Sequence, residues 1–179
     1  MDTKKLSKTV LVLRVMVLIV VAITVVEPVL AFINDEELFL EINDEIWRKN
    51  LSELSDADNL FLIMMILVPS AVWLYGLYQI HRLCGLYGDG EIFSVEAIRR
   101  FRTFAIALVI VALIESVSAP VLISYLWSRE IIPDLPDISF FDYLTIAEIE
   151  ALMVAVLFFA IARVMEGGAE MKRDAELTI

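Results

Sequence analysis

Hydrophobic positions in this chain fall into four long blocks, not into the short alternations or narrow stripes of a water-soluble domain. Residues 9–32, 60–80, 104–127 and 143–165 are each nearly continuous in Val, Leu, Ile, Ala, Met and Phe, and each is long enough for a tilted helix to cross a bilayer. The pattern predicts an all-α polytopic membrane protein, a single four-transmembrane-helix bundle over residues 1–179. Four crossings put both termini on one side. The first block follows Lys4, Lys5 and Lys8 as the core of a signal peptide would. It is too long for such a core and lacks a small-x-small cleavage pattern, so it reads as a retained span.

The connections carry their own patterns. In 33–59, Ile42, Ile46, Trp47, Leu51 and Leu54 recur at helical spacing, and Asp44 with Arg48 and Glu45 with Lys49 stand four apart with opposite charge. An external amphipathic helix is expected there, on the membrane surface or capping the bundle. Segment 128–142, with Pro133 and Pro136, reads as an extended, turn-rich connection. Between the second and third blocks, Gly85, Gly88 and Gly90 predict a sharp reversal over 84–90, and Ser94 stands where a helix N-cap belongs.

Apolar residues make up 60% of the chain, against roughly 45–50% in soluble domains, which excludes an ordinary soluble fold. Charge then orients the spans. Of 14 basic residues, Lys4, Lys5, Lys8, Arg14, Arg82, Arg99, Arg100, Arg102, Arg163, Lys172 and Arg173 fall on one side, and Arg48, Lys49 and Arg129 on the other. The richer side is the cytoplasmic one. The expected location is the bacterial cytoplasmic (inner) membrane, multi-pass, with both termini cytoplasmic. A net charge of -11 disfavours nucleic acid as a direct partner and anionic lipid as a partner of the whole molecule. The lipid bilayer is the expected surrounding, and homo-oligomerisation stays open.

Chemistry is sparse. One cysteine, Cys84, and one histidine, His81, cannot build a Cys- or His-based metal site, and no P-loop, dinucleotide, His-Glu-x-x-His or Gly-x-Ser-x-Gly signature occurs. No catalytic residue, metal or cofactor is expected. The nine acids of the first external loop, among them Asp35, Glu37 and Asp58, read as a solvated face, since the Asp-x-Asp-x-Asp-Gly order of a calcium loop is missing.

Ionisable residues within the apolar blocks are the sharper signal, because each is costly at mid-bilayer unless paired, hydrated or neutral. Arg14 is close enough to a block end to snorkel. Glu27 precedes Pro28 in the first block, and Glu148 and Glu150 open the fourth. Two residues apart on a helix, Glu148 and Glu150 cannot both point inward along one line. Glu115 stands near the middle of the third block, with Ser118 at i+3 and Ser70 beside Pro69 at similar depth in the second. Glu115 is expected to be protonated and bonded to Ser118 or Ser70, or to face a water-filled cavity open to the outside. An external cavity lined by Glu115 and Glu27 would favour a cation or an amine.

Two inner segments carry a family resemblance. The first is Leu86-Tyr87-Gly88-Asp89-Gly90-Glu91-Ile92-Phe93-Ser94, followed by Arg99 and Arg102. The second is residues 162–179, ending Leu177-Thr178-Ile179. Together they resemble a family of bacterial four-span membrane proteins known as a domain of unknown function, with a Gly-x-Ile-Phe-Ser turn and a Leu-Thr-Ile finish. The family has no catalytic residues to transfer. Its members look like frequent neighbours of small Cro-like helix-turn-helix regulators, which implies a membrane-bound partner of such a regulator. The contacts would come from Gly90, Phe93, Ser94, Arg99, Arg102, Leu177, Thr178 and Ile179. The leading expectation is therefore a non-enzymatic regulatory or interaction protein. The alternative is a small transporter or ligand-binding membrane protein built around Glu115.

Overall fold

The computed structural model describes residues 3–42, 45–132 and 146–177. Four helices dominate it: α1 (Thr3–Ile33), α2 (Asp56–Gly88), α3 (Val95–Ser128) and α4 (Ile146–Leu177). Each runs past the C-terminal end of its apolar block. The starts of α2 and α3 are set by serine caps: Ser55 accepts from the Asp58 amide at 3.3 Å and Ser94 from the Ala97 amide at 3.1 Å, satisfying N–H groups that a helix start leaves bare. The predicted reversal is narrower than the glycines suggested. α2 continues through Gly85 and Gly88, and the chain turns at Gly90, whose φ of +82° is readily open to glycine alone. The connection 133–145, including Pro133, Pro136 and the first residues of the expected fourth block, lies outside the described residues.

Packing runs in chain order, α1 on α2, α2 on α3 and α3 on α4. Small residues set the spacing. A Cβ at Gly76 of α2 would stand 3.3 Å from both the Ala107 Cβ and the Phe104 ring of α3, so the glycine admits the close approach on which helix pairs in lipid depend. Ala97, Ala105, Ala112, Ala155 and Ala162 are buried along the same seams. α3 is central and α1 peripheral: the apolar window of α3 is 33% buried and that of α1 only 11%. The exposed Leu, Val and Ile side chains of α1 are the surface that a bilayer covers. α1, α2 and α3 are long and apolar enough to cross a membrane. α4 is not among these three. It is the least apolar of the four helices and the most one-sided, with Glu148 and Glu150 in its first turns and Arg163, Glu166 and Glu170 later.

The expected external amphipathic helix is overturned. Two strands, β1 (Glu37–Ile42) and β2 (Glu45–Asn50), pair antiparallel as a hairpin, followed by a 3-10 turn at Leu51–Glu53. Leu38 pairs with Lys49, Phe39 with Arg48 and Leu40 with Trp47. The physical reason is period: Leu38, Leu40 and Ile42 alternate with Glu37, Phe39 and Glu41, which suits a pleat, while the helical spacing used only the later apolar positions. Arg48 accordingly meets Glu37 across the hairpin at 3.7 Å, and its guanidinium lies 5.5 Å from the Phe39 ring centroid; Asp44, the partner expected one helical turn away, lies outside the described residues. Leu38 packs toward Ile123, Leu126 and Ile132, which seats the hairpin on the end of α3.

Candidate functional site

Sequence reasoning treated the first loop's acids as a solvated face, and Asp58 departs from it. Its side chain is only 6% exposed. It accepts from the Tyr125 hydroxyl at 2.8 Å, from Arg129 Nε at 3.1 Å and from Ser55 Oγ. Phe61 stacks on the Tyr125 ring, with centroids 3.8 Å apart. The start of α2 is thereby fastened to the end of α3. Asp35 is likewise engaged, accepting from the Ser52 amide and hydroxyl, both at 2.7 Å. The signal for Asp58 was its phase: it stands four residues before the buried Leu62, on the face that α2 turns toward α3. Among the described residues no group of three or more His, Cys, Asp or Glu is placed to hold a metal ion.

Deeper between the helices lies an open cleft of about 750 Å³. All four helices contribute: Thr24, Glu27 and Pro28 from α1, Pro69, Ser70 and Trp73 from α2, Glu115 and Ser118 from α3, and Glu150 from α4. Five of the six sequence candidates for a ligand pathway, Glu27, Ser70, Glu115, Ser118 and Glu150, are thus brought together. Glu148 sits on α4 two residues before Glu150. Trp73 was not anticipated, and nothing in the one-dimensional pattern marked it.

The polar lining consists almost wholly of acceptors. Glu27, Glu115 and Glu150 are exposed, and among the described residues no Lys, Arg or His lines the cleft. The Ser118 hydroxyl donates to the Ile114 carbonyl at 2.8 Å and that of Thr24 to the Val20 carbonyl at 2.9 Å. Ser118 therefore gives its proton to its own helix instead of to Glu115, and both hydroxyls offer lone pairs. Pro28 and Pro69 lack the N–H that would bond the carbonyls of Thr24 and Met65, residues that also line the cleft. The remaining wall is apolar, from Ile23, Ile66, Leu108, Val111 and Val154. Such a site attracts positive charge and shelters hydrocarbon.

At the other end of the bundle, the two segments that carry the family resemblance pack on each other. Gly168 of α4 receives the Phe93 ring, which a Cβ would approach to 3.1 Å. Arg102 meets Glu166 at 2.6 Å, and the Tyr87 hydroxyl points at the Met165 sulfur, 3.9 Å away. Beneath them Leu83, Ala97, Ile98, Phe101, Ala162 and Met165 form one buried cluster. Residues 4–179 match the family described as "Protein of unknown function (DUF2975)". The chain belongs to that family. No curated protein and no solved structure matches it.

Several of the expected contact residues of this DUF2975 chain are therefore structural. Ser94 caps α3, Gly90 makes the turn, and Phe93 and Arg102 bind the loop and α3 to α4. Arg99 pairs with Glu96 and keeps 67% of its side chain exposed. Leu177 is the last residue of α4, while Thr178 and Ile179 lie outside the described residues.

Proposed function

We propose that this chain is a non-enzymatic, multi-pass protein of the bacterial cytoplasmic membrane whose helix bundle binds a small cation with an apolar body, an alkylamine in the simplest case. All four helices cross the bilayer in this reading. Both termini face the cytoplasm, an orientation supported by the sorting of basic residues. The observation that carries it is the meeting of Glu27, Glu115 and Glu150, from three helices, in one cleft lined by no basic side chain among the described residues. An ammonium group brings positive charge to these carboxylates, the hydroxyl and carbonyl oxygens accept its N–H bonds, the Trp73 ring offers a π-face, and the apolar wall takes the alkyl chain.

Binding of hexylammonium by the protein in nanodiscs is followed by calorimetry. Glu115→Gln keeps the side chain's shape and removes one charge, so it should reduce affinity about tenfold, with thermal stability unchanged. Wild-type affinity in that variant would reject the cleft as the site.

A second reading, docking of a cytoplasmic helix-turn-helix regulator, is supported by apolar side chains left open at the same end: Val95 is 82% exposed and Met171 71%. Removing residues 170–179 should then abolish capture of the regulator while leaving the melting temperature of the bundle unchanged. A truncated chain that still captures it would reject the tail as the surface.

A further inference from the structure

Beyond the acidic cleft, the geometry points to a second site, at the end of the bundle away from the hairpin, that binds a phosphate-type anion. A cavity of about 210 Å³ lies there between α1, α2 and α3, lined by Arg14, His81, Arg82, Arg100, Asp89 and Glu96. Three side-chain nitrogens around it, Arg14 Nε, His81 Nδ1 and Arg100 Nε, are buried and lack a hydrogen-bond partner. Among the described residues only one other buried side-chain atom, Asn59 Oδ1, shares that condition. Buried polar atoms are otherwise satisfied almost without exception, so three orphans around one small cavity mark groups arranged for something other than the protein itself.

The charges point to an anion. Glu96 is already shared between Arg99 and Arg100, and Arg100 also donates to the buried Gln79 Oε1 at 2.6 Å. Gln79 and Glu96 thereby hold the Arg100 guanidinium in a fixed orientation with Nε left over. Arg14 and Arg82 make no ion pair among the described residues, leaving Asp89 as the one carboxylate in the lining not taken up by an arginine. Gly85 completes the arrangement: a Cβ there would come to 3.1 Å from Arg14 Nη2, so the missing side chain lets that guanidinium lie against α2. Basic side chains from three helices line this one cavity, and guanidinium groups so gathered suit the several acceptor oxygens of a phosphate, which arginines recognise through charge-assisted bonds. The chain's overall negative charge does not oppose this, because the cavity sees its own lining far more strongly than charges a Debye length away.

Free phosphate and the headgroup of an anionic lipid share this chemistry, and two arms separate them. In the first, the full chain in phosphatidylcholine nanodiscs is titrated with inorganic phosphate against chloride at matched ionic strength. In the second, phosphatidic acid replaces part of the lipid, and native mass spectrometry counts what the protein retains. Saturable binding in at least one arm is expected, and the responding arm names the source. Arg14→Gln should weaken it about tenfold. Gly85→Ala should weaken it as well, because it displaces the Arg14 guanidinium without changing any charge. Arg82→Gln, at an exposed position, tests the same point should Arg14→Gln fail to fold. Glu115→Gln should leave anion binding unchanged, which separates this site from the acidic cleft. No saturable binding in either arm, or wild-type binding in the Arg14, Arg82 and Gly85 variants that fold, would overturn the site.

Discussion

Asp58 and Glu166 do similar work at opposite ends of the bundle, each joining one helix to another through arginine, yet their surroundings differ. Asp58 is 6% exposed at the side chain, and its partner Arg129 is 49% exposed. Tyr125 and Ser55 add two further donors to it. Glu166 is 23% exposed and holds Arg102 and Arg163, which are 47% and 83% exposed. The hairpin end thus adds to its apolar cluster of Ile123, Leu126 and Ile132 one buried carboxylate that accepts from three side chains. The opposite end also packs apolar side chains, Phe93 on Gly168 above the Phe101 cluster, but its ion pairs lie only around the rim. A buried, multiply bonded charge is costly to disturb, while a rim ion pair in water contributes little.

The comparison is most directly broken at Asp58. Asp58→Ala should lower stability by about 2–3 kcal/mol, since it leaves the Tyr125 hydroxyl and Arg129 without their acceptor. Thermal unfolding in detergent would read this, and hydrogen exchange should show early loss of protection in the hairpin. Asp58→Asn, which keeps an acceptor, should fall between that variant and the wild type.

At the other end Gly168→Val should cost about 1 kcal/mol, because the added methyl groups must push aside a Phe93 ring that is half exposed and has room to move. Arg102→Gln should have the smallest effect, about 0.2–1 kcal/mol, and raised salt should reduce it further. A loss at Arg102 equal to that at Asp58 would show that the ends are fastened alike.

Legibility in the sequence followed the same divide. The four helices, the Ser94 cap and the ionisable residues of the cleft were readable, because long apolar blocks admit one backbone solution in lipid and an acid inside such a block is conspicuous. The hairpin was misread because Ile42, Ile46 and Trp47 fit both a helical and a strand-like spacing. Asp58 was hidden among nine acids of the first loop, and Gln79 and Arg100 gave no local sign of meeting, being far apart along the chain.

The sequence by itself determined that the chain folds as long apolar helices, where α3 begins, and which acids stand within the apolar blocks. Those follow from local chemistry: hydropathy, capping and the desolvation of charge. Only the tertiary structure decided that Glu27, Glu115 and Glu150 share one cleft, that Phe93 and Arg102 are used internally, and that Arg14, His81 and Arg100 line one cavity. Such convergence depends on how each helix is rotated about its axis and how closely it approaches its neighbours. Contacts as small as Ala107 against Gly76 set that rotation and approach, and no periodicity along a single helix contains them.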